Sequence, residues 1–159
     1  MIERHEENRY DGPRNEITLT ICDRGSFGIL KLILPAVTIT VRLLPRHVRV
    51  LLVLESALHA DENLDDEFRG LRTNEQIADA YAHTQGDQYA RDRFAYTPGP
   101  KAIAAYRSQI HRLIRKATPA GFQAPRLIET IRSAGVRLIN SIEVIDLSER
   151  RAIKTTCKY

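Results

Sequence analysis

The chain has little with which to cross-link itself or to catalyse. It carries two cysteines, one methionine and no tryptophan. Cys22 and Cys157 lie far apart, form no metal or redox spacing, and read as free thiols. No apolar run approaches the roughly 20 residues of a membrane span, so no membrane contact is expected. The opening MIERHEENRYDGPRNE is charged throughout and has no signal-peptide core, which makes a cytoplasmic address the expectation. G-x-S-x-G, P-loop, H-E-x-x-H and dinucleotide fingerprints are all missing, and the five histidines are scattered. Chemistry therefore has no constellation to stand on: the chain reads as a non-enzyme without a cofactor or metal. The acid-rich HADENLDDEFRGLR at 59–72 follows neither the EF-hand nor a zinc spacing, and reads as a solvated acidic loop.

What is present is charge, unevenly placed. A length of 159 residues suits one domain with a real core, and the net charge of +4 is modest. Residues 55–97 hold ten acids against four bases, whereas 101–138 hold eight Lys or Arg against the single acid Glu129. A chain polarised in this way is suited to orient itself on a polyanion.

The basic stretch has its own architecture. Ile103, Tyr106, Ile110, Leu113 and Ala117 recur at alternating spacings of three and four, which predicts a helix over about 101–117 with one buried stripe. Arg107, His111 and Arg115 step by four along another face, with Arg112 and Lys116 beside them. The period then changes. RLIETI and VRLI are short and β-branched, and Arg132-Ser133-Ala134-Gly135 joins them as a hairpin turn in which Gly135 supplies the positive φ. A cationic helix followed by a cationic hairpin is what a winged helix offers duplex DNA: helix in the major groove, hairpin on the backbone or minor groove.

SQIHRLIRK followed by LIETIRSAGVRL resembles the effector domain of the OmpR/PhoB winged helix-turn-helix family. Ile110, Arg112, Leu113, Arg115 and Lys116 match that family's recognition helix. Leu127, Ile128, Thr130, Ile131, Arg132, Gly135, Arg137 and Leu138 match its wing. Gln109, Ile114 and Val136 depart from the pattern, standing where the family has His, usually Arg, and an aromatic. The resemblance implies an α+β fold: an N-terminal antiparallel β-sheet, a three-helix core and a C-terminal β-hairpin wing over 126–138.

The rest of the chain fits that plan. Residues 1–15 read as a flexible polar arm, 16–44 as three strands of a meander, and 45–138 as helices and wing. Residues 139–147 are expected to add a strand or a dimer contact, and 148–159 form a basic tail. Pro45 suits the first turn of a helix from 45, in which Val48, Leu51, Leu52, Ala57 and Leu58 face the core and His47 lies at the surface. Thr73 and Gln76 form a capping box that opens the next helix. Tyr89, Phe94 and Tyr96 lie in the connection to the recognition helix, a loop that in the resembled family can contact RNA polymerase; here they are expected to pack the loop down, the alternative being a contact surface. Nothing N-terminal is rich enough in paired aspartates to be a receiver domain, so control by phosphorylation is not expected.

The expected function is sequence-specific binding of double-stranded DNA by a transcriptional regulator. Arg107, Gln109, His111, Arg112, Arg115 and Lys116 would act from the helix, Thr130 and Arg132 from the wing. A weak dimer, or a monomer that pairs on DNA, is expected because one helix reads few base pairs. The alternative is a winged-helix module that binds another protein.

Overall fold

The computed structural model describes residues 16–83 and 98–147. The fold is mixed α+β. Strands β1 (Glu16–Cys22), β2 (Phe27–Ile33) and β3 (Thr38–Leu43) form the expected antiparallel meander. Alternation puts Ile17, Leu19, Ile21, Leu30, Leu32, Ile39, Val41 and Leu43 on one buried face, while Thr18, Lys31, Thr40 and Arg42 point the other way. A fourth strand, β6 (Glu143–Asp146), lies parallel to β1 and gives the order β3-β2-β1-β6. The segment after the hairpin thus returns to the N-terminal sheet.

Helix α1 (Pro45–Ala60) lies on the buried face and contacts β2 and β3. A Cβ on Gly28 would collide with Val48 Cγ2, so the missing side chain lets helix and sheet approach. Helices α2 (Asn74–His83) and α3 (Pro100–Ala117) pack against α1 and each other, and α3 also reaches β3. The capping box forms as the sequence predicts. Thr73 N–H donates to Gln76 Oε1 at 2.9 Å, and Gln76 N–H donates to Thr73 Oγ1 at 3.1 Å. A two-stranded hairpin, β4 (Ile128–Ile131) with β5 (Gly135–Leu138), follows α3, and Arg72 forms an isolated antiparallel bridge to Val136 on the other edge of β5. Gly135, at φ 129°, is required there twice over. The angle favours glycine, and a Cβ would run into the Arg72 carbonyl.

Two expectations are corrected, and a third holds but for one residue. His47 is not at the surface but 2% exposed, and its Nδ1 accepts the Leu44 N–H at 3.3 Å. Leu44 has no side-chain acceptor to cap α1, and the imidazole three residues on supplies one half of a capping box by accepting the N-cap N–H. In the 59–72 segment Glu62, Asp65, Asp66 and Glu67 are exposed as expected, and Asp61 is the exception. Asp61 ends α1 and takes both terminal nitrogens of Arg72, at 2.7 and 3.1 Å, together with the Gly70 N–H at 2.9 Å. These bonds to the ionised form, Arg72's first, hold the Asp61 pKa below its usual value. Cys22 is buried and disulfide-bonded rather than a free thiol, while Cys157 lies outside the described residues.

The arm at 1–15, the tail at 148–159 and the loop with Tyr89, Phe94 and Tyr96 lie outside the described residues. Among the described residues, no helix is long and apolar enough to cross a membrane, and no group of His, Cys, Asp or Glu is placed to hold a metal ion.

Candidate nucleic-acid interface

Helix α3 is the most strongly amphipathic of the described helices, and its buried stripe decides what its other faces can do. Ile103 and Ile110 are fully buried, with Tyr106, Leu113 and Ala117 partly buried beside them. Ile114 is fully buried as well. The residue that departs from the resembled family's arginine is therefore a core residue, and it widens the apolar stripe on the side facing the hairpin. At 100° per residue the opposite face carries Lys101, Ala105, Ser108, Arg112, Arg115 and Lys116, all exposed. No acid interrupts this face. Arg115 and Lys116 also lie in the last turn, where cations complement the helix dipole.

The sequence-derived candidates separate into three positions. Arg112, Arg115 and Lys116 stand on the open face, and Lys101, which sequence reading did not single out, stands with them. Periodicity alone, with Ile114 counted in the core, would have found it. Gln109 faces the other way. Its Oε1 accepts from Arg46 Nε at 3.1 Å and from His47 Nε2 at 2.8 Å, so it ties α3 to the start of α1. Because His47 Nδ1 already accepts from Leu44, the ring proton sits on Nε2 and is donated to Gln109. Burial, opposed by the Gln109 hydrogen bond and helped by the Arg46 charge, holds the His47 pKa below the ordinary 6.5.

Arg107 and His111 occupy the flank beside the hairpin. Arg107 donates to Thr130 Oγ1 at 3.3 Å and to Asn74 Oδ1 at 3.0 Å, joining α3, the hairpin and the first residue of α2. Thr130 is thus tied to α3 while remaining exposed. His111 Nε2 accepts the Ile128 N–H at 3.3 Å, at the first rung of β4. Burial first, then the charges of Arg126, Arg115 and Arg107, lower its pKa. Arg132 is exposed in the turn between β4 and β5, next to Ser133 at φ 68°.

The hairpin is held from behind. Arg137, 3% exposed, donates through Nε to Glu129 at 2.6 Å and through Nη1 to the Asp66 carbonyl at 2.7 Å and the Arg69 carbonyl at 3.3 Å. The one acid of the basic stretch is therefore spent on a buried arginine, on the side of the hairpin away from α3. What remains toward solvent on α3 and the hairpin turn is cationic. The chain matches no family model, no curated protein and no solved structure.

Proposed function

We propose that the chain is a winged-helix protein that binds double-stranded DNA in the service of transcriptional regulation, with α3 in the major groove and the β4–β5 hairpin on the backbone or minor groove. One observation carries the reading. The exposed face of α3 presents Lys101, Arg112, Arg115 and Lys116 without an acid, and it lies beside a hairpin whose turn presents Arg132. The order of three helices and a hairpin, with Arg72 bridged to the outer edge of β5, supports the winged-helix architecture. A groove about 12 Å wide admits one α-helix, and four cations along a helix face are suited to phosphates on its rims and to guanine edges between them. Selectivity would come from Arg112 and Ser108 near the middle of the face, with Arg115 and Lys116 on phosphates. RNA polymerase and a second copy bound to an adjacent half-site are the further partners the reading implies.

A protein-interaction module is the second reading. It draws on Leu64 and Phe68, 48% and 58% exposed within the acidic turn that follows α1. Electrophoretic mobility shift of a random-sequence duplex at low and rising salt separates the two. Retardation that fades linearly in log affinity against log salt supports DNA binding. No retardation at low salt refutes it.

A further inference from the structure

The flank of α3 beside the hairpin holds a group that the open face does not explain. His111 receives the Ile128 N–H on Nε2, so its ring proton must sit on Nδ1. Among the described residues no acceptor meets that Nδ1–H. Arg107 and Arg115 lie four residues before and after it, one turn away on the same side of the helix. Arg126, two residues before Ile128, closes the seam from the strand side, and all three guanidinium groups bear electrostatically on the imidazole. Among the described residues Arg107 has only the neutral oxygens of Thr130 and Asn74 as partners, and no carboxylate compensates its charge. Strand alternation turns Ile128 and Thr130 toward α3 and Glu129 away from it, where Arg137 takes the carboxylate. Among the described residues, a donor without an acceptor thus sits among three cations, with no carboxylate turned toward it.

We infer that the seam between α3 and β4 seats one backbone phosphate of the bound duplex, whose oxygen accepts from His111 Nδ1–H while Arg107, Arg115 and Arg126 surround it. This rests on the DNA-binding reading and adds to it a specific contact. His111 acts here as an uncharged donor of fixed direction, not as a reader of bases and not as an imidazolium. Protonating Nε2 would deprive the Ile128 N–H of its acceptor, so the folded hairpin itself keeps the ring in the Nδ1–H form.

The test uses the full chain and a duplex site selected from a random library, with each phosphate in turn replaced by an uncharged methylphosphonate. At one position the replacement should weaken wild-type binding about tenfold more than it weakens His111→Ala, the lower end of what a hydrogen bond to a charged group is worth, because the surrounding guanidinium groups lose the phosphate charge in both proteins. His111→Gln, which can accept from Ile128 and donate outward, should keep the sensitivity. It also guards against a loss of fold in His111→Ala, which melting curves report. The salt slope should be equal in all three proteins, because no cation is removed. A slope lower by about 0.9 in His111→Ala would mean an imidazolium contact and overturn the inference. So would methylphosphonate effects that are identical in wild type and His111→Ala. Inorganic phosphate bound by wild type and not by His111→Ala, without any methylphosphonate difference, would assign the seam to a free ion and overturn the duplex seat. A wild-type chain that binds no duplex overturns the DNA-binding reading together with this one, whereas the earlier outcomes overturn this one alone.

Discussion

Arg137→Met is the sharpest test of how the hairpin is held. Methionine keeps the apolar stem of the side chain and removes the guanidinium, so packing is largely spared. The loss falls on three acceptors: the Glu129 carboxylate and the carbonyls of Asp66 and Arg69. Breaking a buried ion pair by removing one partner costs about 3–5 kcal/mol. Glu129 keeps 24% of its side-chain surface in contact with water and can be partly rehydrated, so the lower end applies, about 3 kcal/mol. For a chain of this size each kcal/mol lowers Tm by about 2–4 °C, which places the expected fall at roughly 6–12 °C. Thermal unfolding followed by circular dichroism measures it, and Glu129→Gln alone and in combination gives the coupling between the two side chains. The coupling should be on the order of 1–2 kcal/mol. A fall of less than about 2 °C, or energies that simply add, would refute the view that this pair anchors β4–β5 to the turn after α1.

Three further outcomes follow from the same geometry. Arg115→Ala and Lys116→Ala should each reduce the log–log salt slope of duplex binding by about 0.9, the worth of one phosphate contact; an unchanged slope in both would remove these side chains from the interface. Gly135→Ala should destabilise by about 2 kcal/mol or more, since both the positive φ and the Arg72 carbonyl oppose a side chain, and an unaltered melting temperature would contradict the bridge to Val136. The pH dependence has a defined sign: His47 and His111 titrate below 6.5 in the folded chain, so as pH falls through about 6.5 the unfolded state binds more protons and stability declines, levelling only once the folded-state values are passed. His47→Gln should flatten that decline in melting temperature between pH 7.5 and 5, and a slope unchanged in both His47→Gln and His111→Gln would show that neither ring contributes.

How much could be read before the structure varies from element to element, and for identifiable reasons. Strands β1 to β3 alternate polar and apolar residues with period two, and α3 repeats with period 3.6, so each announces its own buried face locally. Thr73 and Gln76 are three residues apart and meet within one turn, which is why the capping box needed no tertiary information. The Gly135 turn was legible in the same way, from a residue type that a backbone angle demands. Local pattern therefore determined the α+β class, the order of elements, the amphipathic character of α3 and the concentration of positive charge on it.

Only the tertiary structure decided which side chains remain available to a ligand. Arg107, Gln109 and His111 look as free as Arg112 in the sequence, because a helix lists its residues without naming its neighbours. Packing assigned Gln109 to His47 and Arg46 across more than sixty residues of chain, Arg107 to Asn74 and Thr130, and His111 to the Ile128 backbone. The same long-range contacts buried His47 and gave Asp61 to Arg72. They also sent the residues after the hairpin back to pair with β1. Periodicity measures angle around one axis and composition measures charge, but a hydrogen bond between distant segments depends on where two axes cross. That crossing is set by the summed burial of the whole core and by no short stretch within it.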